Sequence, residues 1–249
     1  MRLRNILLSA ASVAALGGAA GQAQANPFYV SVFGGANWIP DKSAHTSYTS
    51  RAGLTFTHTG SLSESFRTGF VLGGAVGVHL TNWVEGLRAE LEASYRRNHV
   101  HGNWATHITT HSGGEGRRTT SAHGTLDGHI STFAVLANVW YDIDLGSRLH
   151  PYVGAGAGWA RSRIAFQAVT TTFNNSTSDF GDERSGFAYQ LGVGLNYDVM
   201  PGTQIGIGYR YFRAPSLDPF FDGKEGTVIR NKITNENHSV ELSLTLGID

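Results

Sequence analysis

Residues 187–198 read Phe-Ala-Tyr-Gln-Leu-Gly-Val-Gly-Leu-Asn-Tyr-Asp. Phe187, Tyr189, Leu191, Val193, Leu195 and Tyr197 take every second place, and Ala188, Gln190, Gly192, Gly194, Asn196 and Asp198 fill the places between. A period of two puts the first set on one face of an extended chain and the second set on the other. One face is apolar with an aromatic at each end, and the other is small or polar. A helix would scatter both sets around its circumference, so the stretch is a strand.

The same code recurs outward from this stretch. Leu87, Ala89, Leu91, Ala93 and Tyr95 alternate with Arg88, Glu90, Glu92, Ser94 and Arg96. Ile205, Ile207, Tyr209 and Tyr211 alternate with Gly206, Gly208, Arg210 and Phe212, and Val240, Leu242, Leu244, Leu246 and Ile248 with Ser239, Glu241, Ser243, Thr245 and Gly247. Eight such segments are predicted, at 28–38, 69–80, 87–97, 130–142, 151–162, 186–198, 204–213 and 238–248. Each is close to the roughly 9–11 residues that a tilted strand needs to cross a bilayer. The connections alternate: 81–86, 143–150 and 199–203 are short, while 39–68, 98–129, 163–185 and 214–237 are long. An even strand count with short turns on one rim and long loops on the other predicts an all-β fold: an eight-stranded antiparallel up-and-down transmembrane β-barrel, with short periplasmic turns and four long extracellular loops. A soluble sandwich also alternates, and the charged rows would then be its solvated face. Uniform segment length, loop alternation and an export leader together favour the membrane barrel.

That leader is residues 1–25. Arg2 and Arg4 form a basic start, Ile6 to Leu16 an apolar run too short to span a bilayer, and Ala23-Gln24-Ala25 a small-x-small cleavage site. Residues 26–249 are then the barrel domain. Across 249 residues, 15% charged, with 32 Gly and no Cys, composition excludes a disulfide scaffold, a collagen repeat and a disordered polyelectrolyte. Basic and acidic residues balance at 19 each, so no cationic footprint points to nucleic acid. A mean hydropathy of -0.17 is far too low for a bundle of membrane helices.

The strings GFVLGGAVGVHLTNWVEGLRAELEASYR (69–96), ANVWYDIDLGSRLHPYVGAGAGWAR (137–161), FAYQLGVGLNYDVMPGTQIGIGYRYF (187–212) and HSVELSLTLG (238–247) resemble the small eight-stranded outer-membrane proteins of the proteobacterial porin and opacity type. The resemblance runs from Tyr29 to Ile248, and its most specific pieces are Pro151-Tyr152-Val153-Gly154-Ala155-Gly156 and Gly208-Tyr209-Arg210-Tyr211. It implies residence in the outer membrane of a Gram-negative bacterium, with outer-membrane lipid, lipopolysaccharide and the barrel-assembly machinery as partners. Such proteins commonly end in an aromatic residue, whereas this chain closes with Ile248-Asp249. The expected consequence is less efficient assembly of the same fold.

An eight-stranded barrel is only wide enough for its own side chains, so no large pore is expected. The inward rows bring Arg88, Arg96 and Arg210 near Glu90, Glu92 and Glu241, a lumen charge network that reads as packing, with a proton or ion path as its alternative. The expected role is structural and surface-interacting, with no catalytic residue or cofactor, and ligands from host or environment meeting the loops. An alternative rests on His99, His101, His107, His111, His123 and His129 in the stretch 98–129, a candidate haem or metal receptor, although the spacing fits no zinc motif. Some barrels of the wider family are associated with haem. A second alternative is a lipid A-modifying enzyme, because His129 and Ser131 lie two apart on one strand face like a base and nucleophile.

Overall fold

The computed structural model describes residues 27–40, 42–52, 54–81, 83–111, 117–170, 176–217, 220–223, 227–230 and 234–248. Within these, side chains are outside the description at 42–66, 104, 106–111, 117–120, 122, 126, 166, 168–170, 176–180, 220–223 and 227–230. The leader 1–25 lies outside the described residues. The strands are β1 (Phe28–Trp38), β2 (Lys42–Ala52), β3 (Leu54–Phe66), β4 (Gly69–His79), β5 (Leu87–His111), β6 (Arg117–Asp142), β7 (Leu149–Thr170), β8 (Ser176–Met200), β9 (Thr203–Arg213), β10 (Phe220–Gly223), β11 (Thr227–Arg230) and β12 (Glu236–Gly247).

Eight of them close into a cylinder in the order β5-β4-β1-β12-β9-β8-β7-β6, with β6 returning to β5. Each pairing is antiparallel. Closure leaves no unpaired edge in the apolar layer, where a free N–H or C=O would cost several kcal/mol. The short connections, including Pro201-Gly202 with Gly202 at φ 74, gather at one rim together with Phe28 and Gly247. At the other rim β2 and β3 form a hairpin whose second strand runs along Val100–His111 of β5.

The stretches expected as loops at 98–129 and 163–185 are instead largely strand. β5 and β6 stay paired out to His111 and Arg117, and β7 and β8 out to Thr170 and Ser176. Their Thr-rich sequence suits an extended ladder. Beyond the bilayer the outward face no longer meets lipid, so the apolar alternation that marks a membrane strand stops while the hydrogen bonding continues.

Outward and inward rows separate cleanly. Outward Phe187 is 69% exposed and Leu242 66%, whereas inward Val71, Ala188 and Phe212 are 0%. This inverts a water-soluble core and matches a surface bathed in lipid. Exposed Phe70, Tyr95, Phe133, Trp159 and Phe187 ring the long-hairpin side, and Phe28, Tyr141 and Tyr197 the short-turn side, as interfacial aromatics do.

Candidate functional site

Inside the barrel, side chains close the lumen at three heights. Nearest the short turns, Arg88 on β5 grips Asp142 of β6 through Nε and Nη2, the latter at 2.9 Å, and its Nη1 donates to Glu90 at 3.1 Å. Glu90 also accepts the Tyr29 hydroxyl and the Trp140 indole N–H, each at 2.8 Å. Trp140 has room because Gly154 and Gly192 face it: a Cβ on Gly154 would stand 2.3 Å from the indole. Tyr152 leans across Gly194 and Gly208 in the same way. The small inward residues of β7, β8 and β9 are thus the sockets for large inward residues on their neighbours.

At mid-height Glu92 is fully enclosed. It accepts from Asn138 at 2.9 Å, Gln190 at 2.8 Å and Arg210. Arg210 Nε lies 3.0 Å from Glu241 Oε2, an ion pair without hydrogen-bond alignment, and Ser239 donates to the other oxygen of Glu241 at 2.6 Å. The Arg210 guanidinium stands over the rings of Phe33 and Trp140, 4.5 and 5.1 Å from their centroids. Strands β1, β5, β6, β8, β9 and β12 therefore meet on the barrel axis.

The expected pairing of all three arginines with the three glutamates holds for Arg88 and Arg210 only. Arg96 makes no ion pair among the described residues: its Nη1 donates to Ser94 at 2.8 Å and its guanidinium covers Phe212 at 4.0 Å. Its Nε and Nη2 have no partner. Strand stagger sets Arg96 higher than the glutamates, where the facing side chain is aromatic.

The third layer is amide and hydroxyl. Asn37 donates to Asn98 and to Asn237 at 2.9 Å, and Asn237 donates to Asn235 at 2.7 Å. Asn235 donates to Thr132 at 3.0 Å and to Ser162 at 2.8 Å. This belt links β1, β5, β6, β7 and β12 just below the hairpins, and the buried segment around Ala214 and Leu217 packs beside it. Sequence reading missed Tyr29, Asn138, Trp140, Asp142, Gln190 and the asparagines. Asn138, Trp140 and Asp142 share one inward row, so the parity of β6 was the available signal.

The described histidine side chains of this stretch, His99, His101, His123 and His129, lie on the opposite surface. On β5 and β6 the odd-numbered positions face outward, and His99, His101, His107, His111, His123 and His129 are all odd-numbered. His107 and His111 occupy same-face register positions because four residues is an even step along a strand. Their side chains lie outside the described residues. His99 stands directly opposite His129, and His101 opposite Asp127. Among the described residues no three metal-ligating side chains gather. His129 lies above Phe133 and so outside the apolar layer; partial burial, then Arg97, His99 and Arg163, hold its imidazole below the ordinary range. Ser131 shares its outward row, and among the described residues no carboxylate is hydrogen-bonded to His129 to orient it as a base.

Residues 7–245 match the model of the outer membrane protein β-barrel domain. The chain belongs to that family. This outer-membrane barrel is 33% identical over 220 residues to an outer membrane protein of Gluconacetobacter diazotrophicus, covering 84% of this chain and 52% of that one. It is 28% identical over 154 residues to an uncharacterized protein of Brucella abortus, covering 57% of this chain and 52% of the relative. The barrel thus spans about half the length of the curated relatives it matches. Neisserial surface protein A is similar in structure at 16% identity and a TM-score of 0.47, covering 89% of this chain and 97% of that one. Outer membrane protein OprG from Pseudomonas aeruginosa is similar at 11% and 0.42, covering 90% and 98%. The barrel resides in the outer membrane, with its apolar rows in lipid.

Proposed function

We propose that the barrel is a non-catalytic structural and surface-interaction protein that has no large open pore and presents its extended hairpins to the outside. The observation that carries this reading is the mid-height junction, where Glu92, Arg210 and Glu241 meet with Asn138, Gln190 and Phe33 across the axis. Lipopolysaccharide, the barrel-assembly machinery and host or environmental ligands are the partners this role implies. Planar-bilayer recordings of the refolded barrel test it: closed traces or rare small events are expected, and large steady channels would overturn it.

One observation favours a second reading, capture of haem or a metal. His99, His101, His123 and His129 lie on one outward face of the β5–β6 hairpin, with His99 and His129 at directly paired positions, and His107 and His111 follow on β5 at register positions of the same parity. Neutral imidazole is a common ligand of haem iron and of divalent metals. Haem titration of the barrel, against a variant carrying Ala at all six positions, decides it. A Soret shift in the first and none in the second is expected; no shift in either removes the reading.

A further inference from the structure

At the long-hairpin end, the outward face of the barrel carries cations that the lumen network does not use. Tyr95, Phe133 and Trp159 on β5, β6 and β7 are exposed and mark where the apolar band ends. Two residues farther along the outward rows of β5 and β6 come Arg97 and Ser131, with Arg163 on β7. Arg97 is registered opposite Ser131, and Ser131 opposite Arg163. With neighbouring strands about 4.8 Å apart, the two arginine stems stand roughly 10 Å apart and flank one hydroxyl. An arginine side chain easily spans half that gap.

The local charge is net positive, with Arg97, Arg161 and Arg163 against Glu183. Glu183, opposite Arg163 on β8, is held by Arg161, whose Nε donates to it at 2.9 Å. Among the described residues no carboxylate pairs with Arg97 or Arg163. On the far side of the barrel the same level is neutral, because Arg213 of β9 meets Glu236 of β12 at 3.2 Å. Positive charge is therefore concentrated on β5 and β7, either side of Ser131 on β6, at headgroup height and pointing away from the lumen. Guanidinium groups form fork-like, charge-assisted bonds to phosphate oxygens, and a serine hydroxyl between them adds a donor. A ligand here must be anionic and must sit against the aromatic row, which places its apolar part in the bilayer.

We propose that Arg97, Ser131 and Arg163 form a binding site for the phosphate monoester of an outer-leaflet lipid, such as the lipid A of lipopolysaccharide, with His99 and His129 as flanking contacts. Ser131 is then an anion donor, which accounts for a serine beside His129 without an orienting acid. The site rests on the barrel's place in the outer membrane and is independent of any role for the hairpins. Native mass spectrometry of the refolded barrel tests it, with bisphosphorylated lipid A, the same lipid after phosphatase treatment, and inorganic phosphate as probes. Retention of lipid A is expected, with occupancy at a fixed concentration falling at least tenfold in Arg97→Gln/Arg163→Gln and with the phosphatase-treated lipid. Arg148→Gln, which removes the same charge at the short-turn rim, is expected to retain lipid as the parent does. Heat-modifiable gel migration reports folding of each variant, and Arg163→Gln alone serves if the double variant does not fold. Equal retention by the arginine variants, equal retention of the phosphatase-treated lipid, or the same loss in Arg148→Gln would each refute the site. Displacement of lipid A by an equal concentration of inorganic phosphate would refute its assignment to lipid.

Discussion

Replacing Arg210 by Met is the most searching perturbation of the lumen. The Arg210 side chain is 9% exposed and bridges Glu92 and Glu241, at 0% and 3%. Met keeps much of the stem's volume against Phe33 and Trp140 but withdraws the cation that ion-pairs with both carboxylates, leaving them only the more distant attraction of Arg96. Removing one member of a buried ion pair typically costs about 3–5 kcal/mol, because the remaining charge stays desolvated. Asn138 and Gln190 still donate to Glu92, whereas Glu241 keeps only Ser239, so the cost is expected at the middle of that range. Urea titration in phospholipid vesicles, followed by tryptophan fluorescence and heat-modifiable migration, measures it. The triple variant Arg210→Met/Glu92→Gln/Glu241→Gln removes the stranded acids but also the two carboxylates that attract buried Arg96, so it is expected to recover part of the loss, about 1–2 kcal/mol. A loss below about 1 kcal/mol in Arg210→Met, or no recovery in the triple variant, would show that Arg210 does not neutralise these acids.

Two further outcomes follow from the packing. A Cβ at Gly192 would stand 2.8 Å from Trp140 Cη2, so Gly192→Ala is expected to cost about 1–3 kcal/mol in the same titration and far less in a Trp140→Leu background; equal costs in both backgrounds would remove the socket reading. Asn235→Ala takes away the donor to Thr132 and Ser162 and the acceptor of Asn237, with an expected cost of about 1–3 kcal/mol. Amide exchange at the start of β12 should quicken with it, and unchanged exchange there would mean that the belt does not hold that strand.

The sequence made the membrane-spanning part legible because two different media press on its strands. Lipid outside and packed side chains inside impose the period of two seen from Phe187 to Tyr197 and from Leu87 to Arg96. Above Trp159 the outward face leaves the lipid and its residues turn polar while inward ones such as Ser162, Ile164 and Val100 stay buried, so the apolar period is lost and stretches such as 98–129 resemble loops although the ladder continues through them. Parity also put Arg88, Glu90, Glu92, Arg96, Arg210 and Glu241 on inward rows, where all are largely enclosed. Partner choice depends on the relative height of residues on different strands, which period cannot supply, and so Arg96 meets Phe212 where a glutamate was expected. The asparagine belt left even less trace, since each of its members is a single polar residue on a separate part of the chain.

The three lumen layers also decide where ligand chemistry has room. Displacing the Asn235 segment would break the upper belt, yet Arg210 would still bind two acids at mid-height and Trp140 would still lie in its glycine sockets below. Opening a continuous path requires all three to give way, and each joins strands from around the barrel: β1, β5, β6, β7 and β12 at the top, β1, β5, β6, β8, β9 and β12 at mid-height, and β1, β5 and β6 with the glycine sockets of β7 and β8 below. Recognition is thereby confined to surfaces that the closed lumen leaves unused: the outward row of the β5–β6 hairpin and the cationic headgroup-level face next to it. The closed sheet holds Arg97, Ser131 and Arg163 in register, because a ladder hydrogen-bonded on both sides keeps neighbouring outward residues at one strand spacing without help from a loop.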